Sequence, residues 1–298
     1  CPICNQTEQF TALSPELCST NNQLCQKCGL VFIPERDDSI KDYYAADGYF
    51  KKSPNIALRE QFISKGLLVS LARDRLAKMS ALFHIDFQAK RVLDVGCGYG
   101  ELLYVLQNSV NAQVLGLEPS DSAVSIGTKY FNIPIEKTVL ENYTTQELFD
   151  VILTCHTLEH TVDPRAFLTR LRELLVDDGL CYIEVPNVLK PTGNFPLATF
   201  LYNEHLQTFS ASNLCRLVNT CNLSIVAYDD KDFLRILCKK TAEVKNEAFP
   251  QEIASTNVLQ FLKDYKKTYS LLDLVGVYVH KFKYLLRIVK YAVLSYVN

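Results

Sequence analysis

Three features predict an α/β protein built on a doubly wound sheet, with a small metal-binding ribbon in front and a helical segment behind. First, the stretch from Val92 to Gly100 runs from apolar residues to an acid and then to three alternate glycines. The chain has only eleven glycines, so three within five residues is a demand of the backbone. Second, short apolar runs alternate with helix-period patterns from 91 to 187, as βα repeats do. Third, two C-x-x-C pairs, Cys1/Cys4 and Cys25/Cys28, stand near the front of the chain.

Residues 1–50 form the expected ribbon. Each C-x-x-C pair can place two thiolates on one tight knuckle, and two knuckles complete a tetrahedron around Zn2+. Gly29 relieves the turn after Cys28, and 30–33 reads as a strand. Cys1, Cys4, Cys25 and Cys28 are therefore the expected ligands. Four thiolates leave no open position, which makes the zinc structural. Its binding would supply much of the folding free energy, about 10–16 kcal/mol in finger peptides. Cys18 has no assigned role. Tyr43, Tyr44 and Tyr49 follow, either as a packing loop or as a lid presenting phenols to a substrate.

Residues 51–240 read as a cofactor domain. Ser53 and Pro54 open a helix, and Phe62, Ile63, Leu67, Leu71 and Leu76 recur near helical spacing. Strands are expected at 91–95 and 114–118, then a helix from Pro119 and Ser120 to about Phe131. A short strand at 133–135 and a segment at 137–142, passing near an adenine, come next. A strand at 149–154 precedes a helix capped by Asp163 and Pro164, with Phe167, Leu168, Leu171, Leu174 and Leu175 on its buried stripe. The chain turns at 177–179 into a strand at 180–185. Residues 223–228 and 233–238 close the domain as a hairpin, and 241–298 is mostly helical in pattern.

The glycine spacing is G-x-G-x-G, not the G-x-G-x-x-G of pyrophosphate loops. Asp94 stands just before it, where a carboxylate repels a pyrophosphate but suits a cation. S-adenosylmethionine fits, with a sulfonium, an ammonium and no phosphate. Glu118, 24 residues after Asp94, is placed to meet ribose hydroxyls. These two segments resemble those of the class I S-adenosylmethionine-dependent methyltransferases. The L-E-H-x-x-D-P run at 158–164 and the D-G turn at 178–179 resemble the same superfamily, so the likeness spans about 91–187. It implies a Rossmann-like fold and cofactor contacts from Asp94, Gly96, Cys97, Gly98, Gly100, Glu118, Pro119, Cys155 and His156.

Methyl transfer displaces a neutral thioether, so the protein's task is to position and deprotonate the acceptor. His156, His160 and His205 lie in segments expected at the pocket. Taken whole, the chain resembles zinc-ribbon methyltransferases that include sugar C-methyltransferases acting on nucleotide-linked deoxysugars. That resemblance implies that Tyr202, Glu204 and His205 line a sugar site, with His205 as general base and His160 assisting. A histidine before a helix also serves structurally, bonding backbone. The sugar enzymes carry a sizeable C-terminal α/β domain that this sequence does not show. O-methylation of a lipid-linked glycan or another small metabolite is therefore the alternative, and a non-catalytic zinc-ribbon interaction module is the competing class.

At 298 residues the chain can bury a full α/β core. A net charge of −2 gives no electrostatic case for nucleic acid. There is no apolar run of about 18 residues to span a membrane. Cysteine placement suits a reducing compartment, so a cytoplasmic location is expected. Residues 274–298 contain no acid, and Lys283, Arg287 and Lys290 fall at helical spacing. That tail reads either as a helix packed on the body or a partner, or as a basic amphipathic helix resting on an anionic membrane.

Overall fold

The computed structural model describes residues 1–18, 20–37, 39–48, 62–63, 66–191, 197–243 and 249–268. Tyr49, Ser53, Pro54 and the 274–298 tail lie outside the described residues. In chain order the elements are β1 (Phe10–Ala12), β2 (Gln23–Cys25), β3 (Val31–Phe32), α1 (Ser39–Ala45) and α2 (Leu67–Phe83). Then come β4 (Arg91–Val95), α3 (Glu101–Val110), β5 (Gln113–Leu117), α4 (Asp121–Phe131) and β6 (Ile135–Glu136). A 3-10 turn at Leu140–Asn142 leads to β7 (Phe149–Cys155), and a second at Leu158–His160 leads to α5 (Pro164–Leu174). The chain ends through β8 (Leu175–Val185), α6 (Leu197–Phe200), β9 (Gln207–Thr208), α7 (Ala211–Thr220), β10 (Leu223–Asp229), β11 (Leu234–Lys240) and α8 (Ser255–Thr268). Among the described residues no helix is long and apolar enough to cross a membrane.

The main sheet is mixed and has seven strands, ordered β10-β11-β8-β7-β4-β5-β6. β4 pairs in parallel with β5 on one side and β7 on the other, and β6 extends the β5 side in parallel. The chain therefore runs outward through β5 and β6, then returns to the other flank of β4. That reversal puts the carboxyl end of β4, where Asp94 sits, at a topological switch point. β10 and β11 are the expected antiparallel hairpin.

One expectation about the strands shifts and one holds. The third strand forms one step later than 133–135, at Ile135–Glu136, because Pro134 has no N–H to donate to a ladder. The turn expected at 177–179 forms within the element β8 (Leu175–Val185): Asp178 has φ +62°, and a Cβ on Gly179 would stand 2.9 Å from the Val176 carbonyl oxygen, so the chain doubles back there. Asp tolerates that left-handed geometry, which lets the chain reverse before it runs on to Val185.

The chain separates into two compact units. One holds Ser39–Cys155 and Leu174–Leu180, with β4 to β7 and helices α1 to α4. Its core is built from Val92 and Leu93 of β4 together with Leu102, Leu103, Val105 and Leu106 of α3, all buried. Those four helix positions are the i, i+1, i+3, i+4 stripe that the sequence shows after the glycines.

The other unit holds Cys1–Asp38, His156–Glu173 and the described part of Cys181–His280. Here the ribbon gains a strand that the sequence did not announce. β1, β2, β3 and β9 form a four-stranded sheet, with β9 antiparallel to β3 through Val31–Thr208 and Phe32–Gln207. Cys18 finds its role in this unit's core, buried with Leu13, Leu24, Val31, Leu201 and Val258. Its thiol donates to the Thr20 carbonyl at 3.5 Å.

Candidate active site

The glycine loop follows from the register of β4 and β5. Gly96 and Cys97 donate their N–H groups to the Leu117 carbonyl, at 2.8 and 3.1 Å, which folds the loop back over the end of β5. Gly98 has φ +58°, and a Cβ there would meet none of the described residues within 4 Å, so open space adjoins the main chain among them. Gly100 has φ +75° and is needed for the opposite reason. A Cβ would stand 2.2 Å from Ile133 Cδ1, so glycine lets α3 start against that side chain.

Two acids flank the loop. Glu118 accepts from Gly98 N–H at 3.0 Å and from Ser120 N–H at 3.0 Å. Burial pushes its carboxyl up to about 7 despite those donors, and the nearby charges of Asp47 and Glu101 add to the rise. Asp94 is 4% exposed, and its buried Oδ1 has no hydrogen-bond partner among the described residues. Burial raises it to about 7 as well, with Arg75 pulling down and Glu101 and Glu118 pushing up. A buried, orphaned carboxylate is costly unless a cation or donor meets it. Two such acids beside an open glycine loop fit the sulfonium and ammonium of S-adenosylmethionine and the hydroxyls of its ribose.

Asp47, whose role the sequence left open, closes over the start of α4. It accepts from the Ser120 hydroxyl and from Ser122 N–H at 3.1 Å. Ser120 is the helix cap, accepting from Ala123 N–H. The tyrosine segment is thus tied to the turn that carries Glu118. Tyr43 and Tyr44 lie in α1, their rings edge to face at 5.2 Å.

The histidines gather in the other unit around Glu159. His160 and His205 have ring centroids 5.0 Å apart, and Tyr202 stacks at 4.0 Å from His205. His160 Nδ1 lies 2.6 Å from the Glu204 carbonyl, and His205 Nδ1 lies 3.0 Å from that of Phe200. A carbonyl only accepts, so both rings carry hydrogen on Nδ1, which leaves Nε2 as the atom turned away from those carbonyls. Burial, then the His160 charge, hold His205 down to about 4, so it is neutral at pH 7. Glu159 stays below its ordinary value: burial opposes its ionisation, but His156, His160 and His205 outweigh it.

Position is set by a buried amide, of Gln207, and a half-buried guanidinium, of Arg36. Gln207 donates to the carbonyls of Leu158 and Thr161, at 2.7 and 2.9 Å, pinning β9 to the Glu159 turn. Arg36 adds Leu206, Val162 and the Gln207 Oε1. His156 has φ +57° and sits between two acids, Nδ1 at 3.5 Å from Glu159 and Nε2 at 3.3 Å from Glu184. Burial resists charging it, yet the two acids raise it to about 9, so it is an imidazolium. Glu184 is in turn held by Tyr182 O–H at 2.7 Å and Arg235 Nε at 2.8 Å.

At the ribbon, Cys1 and Cys28 Sγ atoms are 3.5 Å apart and those of Cys4 and Cys25 are 3.6 Å apart. All four lie within 4.8 Å of one another. Zn–S bonds of about 2.3 Å in a tetrahedron need S···S separations of roughly 3.8 Å, so the thiols fit a zinc ion.

The expected residues thus fall into three groups. Asp94, Gly96, Cys97, Gly98, Gly100, Glu118 and the half-buried Pro119 surround the loop, and Cys155 ends β7 in the same unit. His156, His160, Tyr202, Glu204 and His205 belong to the second unit, where Glu204 contributes its carbonyl to His160. The four cysteines form the third group. Sequence reasoning missed Glu159, Glu184, Arg235, Gln207, Arg36 and Asp47. Two carried a signal: Glu159 adjoins His160 in the L-E-H run, and Arg235 interrupts the apolar strand Leu234–Cys238.

Seven strands, helices between the parallel ones and an acid-flanked glycine turn at the switch point define an α/β cofactor protein of methyltransferase type. A family model described as a methyltransferase domain matches residues 68–228, more than half of the chain, and the chain belongs to that family. The ubiquinone biosynthesis O-methyltransferase of Bradyrhizobium diazoefficiens is 34% identical over 102 residues, covering 33% of this chain and 40% of that protein. The protein of the same name from Cereibacter sphaeroides is 31% identical over 128 residues, covering 41% and 49%. The matches thus span less than half the length of these curated relatives. A chain from the complex between the Haloferax volcanii Trm112 methyltransferase activator and a methyltransferase superposes with a TM-score of 0.52 at 12% identity, over 69% of this chain and 99% of that one. That likeness is one of fold alone.

Proposed function

We propose that the protein is an S-adenosylmethionine-dependent methyltransferase acting on a small-molecule hydroxyl. The single observation that carries the donor is Asp94, a buried carboxylate with an orphaned oxygen at the glycine turn. Asp94 and Glu118 hold the cationic donor, Gly98 lets its main chain approach, and Cys97, Pro119 and Cys155 border it. The donor supplies an electrophilic methyl on sulfur. The acceptor proton goes to His205 Nε2, which is a lone pair because Nδ1–H is committed to the Phe200 carbonyl. Glu159 then balances the new positive charge, while Tyr202 and His160 fix the ring. Cys1, Cys4, Cys25 and Cys28 hold a structural zinc that shapes the ribbon. Domain limits at 50 and 240 remain our reading of the chain's organisation.

The hydroxyl is favoured by the O-methyltransferase names of the relatives. A second reading, carbon methylation next to the ketone of a nucleotide-linked sugar, rests on the Tyr202-Asn203-Glu204-His205 segment and its resemblance to the sugar enzymes. Calorimetry of the zinc-loaded chain with S-adenosylmethionine tests the donor: saturable heat is expected, and none sinks the reading. With an acceptor found by metabolite profiling, His205→Ala is expected to lose about 10²–10⁴ in kcat with donor affinity intact. Incubation in heavy water separates the acceptor classes, since deuterium entering carbon next to a ketone supports carbon transfer and none supports oxygen.

A further inference from the structure

Glu159, His160 and His205 do something that proton transfer by one histidine does not explain. One ligand atom from each lies within 4.8 Å of the others, and His160 Nε2 is 3.8 Å from Glu159 Oε1. Glu159 is 1% exposed, and among the described residues neither of its buried carboxylate oxygens has a hydrogen-bond partner. His156 supplies counter-charge, its Nδ1 standing 3.5 Å from Glu159 Oε1. Both flanking histidines spend Nδ1 on a backbone carbonyl, of Glu204 and of Phe200. That is the outer support metal-bound histidines use, because it fixes the tautomer and aims Nε2.

We propose that these three side chains form a divalent-cation site distinct from the cysteine cluster. Two imidazole nitrogens and one carboxylate suit Zn2+, Mn2+, Fe2+ or Co2+ better than Mg2+ or Ca2+, which favour all-oxygen ligands. With metal–ligand bonds near 2.1 Å, neighbouring ligand atoms stand about 3.4 Å apart, so the cluster contracts modestly on loading. Three protein ligands leave positions open, and an acceptor oxygen entering one would be acidified there. The inference deepens the reading above and rests on it for that consequence alone; ion binding stands independently. In the loaded protein His205 would be a ligand and the ion would acidify the acceptor hydroxyl, whose proton would then leave to bulk water instead of to His205.

The test uses the full chain with its cysteine site preloaded with one zinc, without donor or acceptor. Mn2+ is titrated in and the bound ion is followed by electron paramagnetic resonance. One further ion per chain is expected in the wild type, and at least a tenfold weaker uptake in Glu159→Gln and in His160→Asn. Unchanged near-ultraviolet circular dichroism shows that each variant is folded, and the wild-type titration decides alone where one is not. No second ion in the wild type, or equal uptake by folded variants, overturns the site. Donor calorimetry on the same samples keeps the two ideas apart. Donor binding without ion uptake sinks only the ion site, and ion uptake without donor binding sinks only the methyltransferase reading. If methyl transfer persists after the Mn2+ is removed, His205 takes the proton directly and the catalytic role of the ion is refuted.

Discussion

Replacing Asp94 by asparagine tests the donor site through two opposed effects. The carboxyl is raised from 3.8 to about 7, chiefly by burial. In the unfolded chain it ionises near pH 4, so between about pH 4 and 7 the folded chain holds a proton that the unfolded chain has lost. Stability from this group therefore falls as pH rises through that window, and the full cost is present above pH 7. Some three pH decades correspond to an upper figure of about 4 kcal/mol. Asparagine keeps the shape and removes the charge, so the unliganded variant at pH 8 is expected to be more stable. Each kcal/mol is worth roughly 2–4 °C in a domain of this size. Binding moves the opposite way. A hydrogen bond to a charged group contributes about 1.5–3 kcal/mol, so donor affinity should fall roughly 10- to 150-fold. Wild-type binding should also weaken by about tenfold per raised acid from pH 8 to 6, because the cationic donor must displace a proton. The Asp94→Asn variant should lose one of those two slopes. Calorimetry and thermal melts across pH 6 to 8.5 provide the check. A variant that melts lower unliganded, or binds the donor as tightly as wild type, refutes the argument.

Three further perturbations follow from the same geometry. Gly100→Ala forces a Cβ into Ile133 at positive φ and should cost roughly 2–4 kcal/mol, whereas Gly98→Ala faces open space and should cost only the left-handed penalty of about 1–2 kcal/mol; equal melting temperatures would contradict this. Arg235→Met removes the guanidinium buried against Glu184 and Asp229, with an expected loss of about 3–5 kcal/mol in denaturant melts. Cys25→Ser should release one zinc equivalent by metal analysis. It should also expose amides of β3 and β9 to hydrogen exchange, because both strands belong to the ribbon sheet.

How far the sequence could be read depended on the range of the interactions. Strand β4, the loop and α3 are encoded within twenty residues, by an apolar run, three glycines and a helical stripe. The ribbon cysteines are equally local, two knuckles that need only each other. Those features set the fold class and the charge of the cofactor independently of any tertiary contact. Cys18 looked like a spare thiol because nothing local distinguishes a core cysteine from a reactive one.

What only the tertiary structure decided concerns residues far apart in the chain. β9 joins the ribbon sheet through two residue pairs formed across some 175 positions, too short a strand to carry a period of its own. Gln207 and Arg36 look like ordinary surface residues, yet buried backbone carbonyls recruit them to hold the Glu159 turn against His205. The orientations of the His160 and His205 rings depend on which carbonyls their Nδ1 atoms meet, a matter of folded geometry. The sequence by itself determined an α/β methyltransferase-type frame and an acid-flanked glycine turn, because strand period, helix period and backbone freedom are local properties. The chemistry at Glu159 was decided only by folding, because desolvation and the meeting of distant side chains exist only in the packed chain.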